Sequence, residues 1–507
     1  MLAKIKTGTV IGVDGVIIDV EVDVAGRGFP TFTIVGLPNK AIDEAKERVR
    51  TAIINTSCDM PDSRITVNLA PANMPKTGSG FDLPIAVGIL AASAVIGRDQ
   101  LRFAIFIGEL SLEGNVRKTS GILSVITAAR EQGLCEAFVP VANASEAALV
   151  EGITVYPVKN ISDVILHFTG NRFIAAQPQT MIHTDNTSHI CDFDFSDIRG
   201  QHHAKRALEI AAAGFHHILL KGPPGTGKTM LSRAVPGIVP PMDKQEILTV
   251  SRMYSVAGLL GDRPYIASRP FRAPHHTISR VGLIGGGSVP APGEISLAHR
   301  GILFLDELPE FPHSVLESMR QPIEDGKVSI ARASGNVVFD CKFLLMAASN
   351  PCPCGYVGHP KKTCHCSAGS IMRYRKRLSG PLLDRIDLHV FVPPVDDNDL
   401  LQSVQEETSR EIAQRVYRAH TIQSARFKHL AIRMNGEMQL RDIKKLCMMH
   451  KDAERLLKEA IMKLSLSARS YVKIIKVSQT IADLAGANHI GLSHIAEALQ
   501  YRPGEDI

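Results

Sequence analysis

A chain of 507 residues, 45% apolar and 21% charged, has the composition of folded globular protein with room for two to four domains, which excludes a disordered or low-complexity chain. The formal charge of +6 makes it mildly basic, which suits a polyanionic partner without requiring one. The longest apolar candidate, Pro84 to Gly97, is broken by glycine and serine, and Met1-Leu2-Ala3-Lys4-Ile5-Lys6 lacks the features of a secretory signal, so a cytoplasmic protein with no membrane partner is expected.

Residues 1–170 alternate β-rich runs (Val10 to Val22, Thr31 to Val35, Arg64 to Leu69, Ala104 to Ile107) with helical patterns (Ala41 to Ile54, Asp82 to Ala94, Leu123 to Gln132). Such alternation predicts an α/β or α+β domain. Residues 171–192, rich in Gln, Pro, Thr, Asn and His, read as a linker. A second α/β domain spans 193–394. From 395 to 507 the pattern turns helical, with candidates at Leu400 to Ala419, Leu440 to Leu446, Asp452 to Leu464, Ala468 to Ala485 and Leu492 to Gln500. Ser467 and Ser493 are the expected N-caps of the last two helices, and Gly486 a stop.

The most informative segment is Gly222-Pro223-Pro224-Gly225-Thr226-Gly227-Lys228-Thr229, a complete phosphate-binding loop between an apolar run, His217 to Leu220, and a helix-compatible stretch. Backbone N–H groups of such a turn cradle the phosphates of ATP, Lys228 reaches the β/γ-phosphates, and Thr229 ligates Mg²⁺. Gly301 to Leu305 reads as a buried parallel strand ending in Asp306-Glu307, one carboxylate to hold Mg²⁺ and one to orient water. Phe343 to Ser349 is a second such strand, and it delivers Asn350 beside Asp306 as a water-positioning amide.

Four of the nine cysteines fall in Cys352-x-Cys354-x₉-Cys364-x-Cys366, a set that fits structural Zn²⁺ at tetrahedral geometry, with His359 or His365 able to replace one thiolate. The run Arg373-Tyr374-Arg375-Lys376-Arg377 is a basic stretch with an aromatic inside, suited to phosphate contact. Lys327 to Phe339 reads as a β-hairpin around a Ser334-Gly335-Asn336 turn. Arg269, Arg272, His275 and His276 lie in the insertion before Asp306 and are candidates for pore or DNA contacts.

Together with Ser379 to Leu388, these motifs resemble the AAA+ ATPases of the magnesium-chelatase and MCM branch. Within that branch the chain is similar over its whole length to the ComM/YifB (magnesium-chelatase-like, competence) family. The resemblance runs through Val35-Gly36-Leu37-Pro38, Val67 to Ala72, Phe81-Asp82-Leu83-Pro84, Gly200-Gln201, Arg269 to His276 and Asn350 to Gly355. It implies an AAA+ α/β core, a helical C-terminal lid and a Lon-protease-like (S5 domain 2-like) N-terminal domain. It also implies a homohexamer in which Arg385 reaches the neighbour's γ-phosphate and Arg469 acts as the lid's sensor arginine, in cis or in trans. The lid departs from the family in carrying Lys473, Lys476 and Gln479 where arginines are usual.

The resemblance to Lon fails at the chemistry, because the nucleophile falls on Gly80 and the general base on Leu123; Ser79 and Lys76 are the only neighbours able to replace them. The domain is therefore expected to be proteolytically inactive, a scaffold for ring assembly or DNA binding. The hairpin resembles the MCM pre-sensor hairpin, which makes Arg332 and Lys327 candidate DNA contacts beside Arg373, Arg375, Lys376 and Arg377. The resulting expectation is an ATP-driven DNA translocase that unwinds DNA or migrates branched, recombinase-generated joint molecules as single-stranded DNA is integrated in natural transformation. A chelatase-type motor remodelling a protein partner is the competing class, and an ATP-dependent protease a third.

Overall fold

The computed structural model describes residues 1–503 except 27–28, 38–39, 57, 73, 75, 77, 79, 184–191, 288, 333–334, 396–405 and 465. The chain divides into two compact units that do not follow chain order. One comprises Met1–His183, Lys244–Ala267 and Ser329–Phe339; the other comprises Thr184–Asp243, Ser268–Val328 and Asp340–Ile507.

In the first unit, β1 (Leu2–Ile11), β2 (Asp14–Val24), β3 (Thr31–Val35), β4 (Arg64–Ala70), β5 (Ala104–Phe106), β6 (Glu136–Pro140) and β7 (Thr154–Val158) form one mixed sheet in the order β3-β4-β2-β1-β5-β6-β7. The Val10 to Val22 run is thus not one strand. Gly12, at φ 67°, lets the chain reverse inside it, so β1 and β2 pair antiparallel from Leu2↔Asp23 to Ile11↔Asp14. Helix Asp82–Ala92 is buried at every position, as expected for a core helix that is apolar all round. Its first carboxylate, Asp82, is held by Arg48 in a fork of 2.7 and 3.0 Å and by the Leu110 N–H, so a buried charge is paired rather than stranded.

Residues 171–183 of the expected linker lie against this unit, whereas Asp192 belongs to the other. Gln177 N–H bonds to Val155, Thr180 N–H to Ala148 and His183 N–H to the Tyr265 hydroxyl. Two stretches from within 193–394 also belong here. Helix Lys244–Val256 is anchored by the Gly121 N–H to the Ser255 carbonyl (3.0 Å), by Arg252 to the Val13 carbonyl (3.1 Å) and Asp14 (3.2 Å), and by the Ser255 hydroxyl donating to Glu146. The hairpin strands are Lys327–Arg332 and Gly335–Asp340, so Gly335 and Asn336 stand in the second strand, and the intervening 333–334, with Ser334, lie outside the described residues. Val337 packs so closely on Gly12 that a Cβ there would come within 2.7 Å of it.

Leu123 is buried in this unit's core, its N–H donating to Glu146. Lys76 is buried with its ammonium on the Pro71 carbonyl, and Ser79 lies outside the described residues.

In the second unit, β8 (Ile218–Lys221), β9 (Phe271–Arg272), β10 (Ile302–Leu305), β11 (Leu344–Ser349) and β12 (Leu388–Phe391) form a wholly parallel sheet in the order β9-β10-β11-β8-β12. β10 and β11 are buried throughout, the pattern of strands covered on both faces. One core joins this sheet to the C-terminal helices. The helix expected from Leu400 begins at Ser409, because Thr408 and Glu411 form a capping box; 400–405 lie outside the described residues. Helix Ala468–Leu484 is capped by Ser467 and followed by Gly486 at φ 67°. The last helix, Leu492–Gln500, is capped at Gly491, which leaves Ser493 inside its first turn.

Candidate functional site: a nucleotide loop and an arginine pair at opposite ends of one sheet

Parallel strands put the ends of β8, β10 and β11 side by side, and the loops leaving their carboxyl ends build the first half of the site. Gly222 follows β8 so tightly that a Cβ would sit 2.2 Å from the Val392 carbonyl oxygen. Gly225 and Gly227 have φ of 79° and 86° with open space before them, the left-handed geometry that turns backbone N–H groups outward. Lys228 is buried, its ammonium donating to the carbonyls of Gly222 (2.8 Å) and Pro223 (2.7 Å) and approaching Asn350 Oδ1 at 3.3 Å. Burial pushes its pKa down to about 8 against the pull of Asp306 and Glu307. The Thr229 hydroxyl donates to Asp306 Oδ2 at 2.8 Å. A hydroxyl and a carboxylate at this spacing are hard oxygen donors of the kind Mg²⁺ takes while it keeps several waters.

Glu307 has φ 51°, a strained setting for a non-glycine residue. His276 faces it at 3.8 Å.

The cysteine loop adjoins the phosphate loop. Gly355 is packed so that a Cβ would come 2.5 Å from Pro224 Cδ. The sulfurs of Cys352, Cys354 and Cys364 lie 3.4, 3.5 and 3.7 Å apart, and that of Cys366 joins them within 4.8 Å. Four thiolates about 2.3 Å from one tetrahedral zinc stand about 3.8 Å apart, so the cluster fits the ion. Neither histidine belongs to it; His359 Nδ1 accepts the N–H groups of Lys361 and Lys362 instead.

Helix Ala368–Lys376 follows and exposes Arg373, Arg375 and Lys376. Tyr374 is buried and has no face for a base to stack on, and Arg377 pairs with Glu310 at 2.8 Å. Lys327 is exposed; the side chain of Arg332 lies outside the described residues. Arg269 is buried on the carbonyls of Pro240, Pro241 and Arg300, and Arg272 forms a fork with Glu294 at 2.6 and 2.7 Å. Both hold the chain together, contrary to their reading as DNA contacts.

The arginines stand elsewhere. Asp387 N–H bonds to the His217 carbonyl, and Ile218↔Leu388 to Lys221↔Phe391 are in register, so Arg385 precedes the amino end of β12 while the phosphate loop leaves the carboxyl end of β8. Four strand residues, roughly 13 Å, separate these ends. Arg469 opens helix Ala468–Leu484 at the same amino edge, where it bonds to Glu324 at 2.6 Å; Arg385 pairs with the other oxygen of that carboxylate. Lys473 and Lys476 are largely buried and donate to the carbonyls of Ile386 and Gly436, both at 2.8 Å. Gln479 donates to Asp483. These departures from the family pattern serve packing. Although burial opposes its charge, Asp387 is held well below the usual carboxylate range by His216, His217 and Lys473.

A phosphate loop, a strand-end Asp-Glu pair and an asparagine on the adjoining strand, on a parallel sheet with a helical lid, define an AAA+ ATPase, which uses ATP and Mg²⁺. Family models for the magnesium chelatase subunit ChlI match residues 194–400, for subunit ChlI of Mg-chelatase residues 20–143, and for the ChlI C-terminal part residues 406–502. The chain is 43% identical to competence protein ComM of Haemophilus influenzae (99% of this chain, 97% of that protein). It is 40% identical to the uncharacterized protein YifB of Salmonella typhimurium (99% and 97%). A shorter match, 31% over 27% of this chain and 26% of the other, is to Lon protease 2 of Bacillus subtilis. The chain therefore belongs to the ComM/YifB family of magnesium-chelatase-like AAA+ proteins.

Proposed function

We propose that this protein is a homohexameric DNA translocase that spends ATP to unwind DNA or migrate branched joint molecules while incoming single-stranded DNA is integrated during natural transformation. The observation carrying the reading is the separation of Lys228 from Arg385 and Arg469. Arginines at the amino edge of the sheet are too far to serve their own phosphate loop, and a ring is the simplest arrangement that brings them to a neighbour's. Both arginines then act in trans.

In each subunit Lys228 leaves the carbonyls of Gly222 and Pro223 for the β/γ-phosphates, Thr229 and Asp306 hold Mg²⁺, and Glu307 and Asn350 orient the attacking water. Bound Mg²⁺ supplies neutralisation of charge on the transferred phosphoryl group. Cys352, Cys354, Cys364 and Cys366 would hold a structural zinc, which would fix the loop against Pro224. Single-stranded and branched DNA, including recombinase-generated joint molecules, are met by Arg373, Arg375 and Lys376 and by the hairpin with Lys327 and Arg332. The full-length likeness to a protein named for competence supports this substrate.

The test is ATP turnover with and without single-stranded DNA, and unwinding of forked or three-stranded substrates, for wild type, Lys228→Ala and Arg332→Ala. Stimulation by DNA, lost with Lys228→Ala and reduced with Arg332→Ala, is expected; turnover indifferent to DNA overturns the substrate. The second reading, a chelatase-type motor that remodels a protein partner for metal insertion, is favoured by the ChlI family models and predicts that indifference.

A further inference from the structure

A cavity of about 990 Å³ opens at the amino edge of the five-stranded sheet, bounded among others by Phe215, Glu324, Arg385, Arg469 and Lys473. Glu324 lies on helix Arg320–Asp325, far in the chain from both arginines. Its Oε1 accepts from Arg469 Nη2 at 2.6 Å and its Oε2 from Arg385 Nη2. Arg385 is braced further by the Pro381 carbonyl at 2.6 Å, while its Nε is buried without an acceptor. The segment bearing Arg385 is tied to the helix bearing Arg469, because Lys473, one turn after Arg469, donates to the Ile386 carbonyl.

Two guanidiniums brought to one place repel each other. A carboxylate with one oxygen on each offsets that repulsion, and Arg385, whose other terminal nitrogen donates to the Pro381 carbonyl, is held at two points of its guanidinium plane. The trio keeps a net positive charge. Arg385 is only 15% exposed, whereas Glu324 is 47% and Arg469 49% exposed, so an incoming anion meets the Arg469 side of the fork first. Against a burial effect that works the other way, the two arginines hold the Glu324 carboxyl below its ordinary range.

We propose that Glu324 is a positioning residue which sets Arg385 and Arg469 as a single two-armed receptor for the terminal phosphate of the adjoining subunit's ATP. This rests on the ring reading above and adds to it the residue that organises the trans half of the site.

The experiment measures kcat and KM for ATP in Glu324→Gln, Glu324→Asp and Arg385→Ala, and the activity of mixed oligomers. Glutamine keeps the size but loses the charge and one acceptor oxygen. Glu324→Gln is expected to lower kcat on the order of 10- to 100-fold, the effect of a misplaced group, with KM within about twofold because the phosphate loop lies at the other edge. Glu324→Asp recovers most of the loss. Mixing Glu324→Gln with Lys228→Ala subunits restores turnover, since the latter supply an intact arginine pair; mixing it with Arg385→Ala does not. Wild-type kcat in Glu324→Gln beside an inactive Arg385→Ala, or recovery of Arg385→Ala but not of Glu324→Gln on mixing with Lys228→Ala, overturns the role of Glu324 alone. Wild-type turnover in Arg385→Ala overturns the ring reading, and this inference with it.

Discussion

The two edges of the five-stranded sheet are built on opposite principles. At the carboxyl edge the charged groups are satisfied within the subunit: Lys228 rests on the carbonyls of its own loop and Thr229 on Asp306. A nucleotide arriving there replaces contacts already made. At the amino edge two arginines share one carboxylate, and positive charge is left over. On the proposed reading, a single subunit therefore carries two halves of different sites.

The strongest way to break this comparison is Arg385→Ala. On the proposed reading it lowers kcat by on the order of 10³-fold or more, as removal of an arginine finger does, while ATP binding measured by fluorescent-analogue titration stays near wild type. Lys228→Ala gives the reverse, losing binding first. Equal effects on binding would mean that both residues serve one loop.

Next in size is Glu307→Gln. If Glu307 orients the water, turnover falls roughly 10²- to 10⁴-fold and nucleotide stays bound, which product-release assays detect as a trapped complex. A variant that still hydrolyses ATP at a tenth of the wild-type rate would pass the role to another group.

A smaller effect concerns pH. Lys228 needs its proton to hold phosphate, and burial brings its pKa to about 8 in the empty loop. Affinity for ATP is therefore expected to be flat below about pH 8 and to fall about tenfold per unit above it, with proton uptake on binding at pH 8. Calorimetry in buffers of different ionisation enthalpy checks the sign.

The mildest perturbation is metal removal. With Gly355 against Pro224, stripping zinc from the four cysteines is expected to lower the melting temperature by about one to two degrees, the shift that roughly 1–2 kcal/mol produces in a chain of this size. It should also raise KM for ATP a few-fold and leave trans complementation intact. An unchanged KM at verified metal loss would separate the cysteine loop from the nucleotide.

How much of this was legible in the sequence follows from the range of the interactions involved. The phosphate loop and the strands ending in Asp306 and Asn350 are local patterns, a glycine spacing or an apolar run with a polar end, and they stand where those patterns put them. The turn at Gly12 carries no such signal, because it lies inside an unbroken β-rich run. Tyr374 reads as exposed among four cations, yet it is buried, since the face of a nine-residue helix is set by what it packs against. Glu324 gives no local signal: one acid on a short helix looks like any solvated charge until segments at 324, 385 and 469 converge. The same holds for Glu146, whose partner Ser255 is more than a hundred residues away.

The backbone passes from one compact unit to the other five times. Any exchange of residues 1–183 for another module would orphan the helix at 244–256 and the hairpin segment at 329–339, stripping each of the surface it rests on. A graft of the first unit is accordingly expected to fold only when all three of its segments, 1–183, 244–267 and 329–339, are carried together.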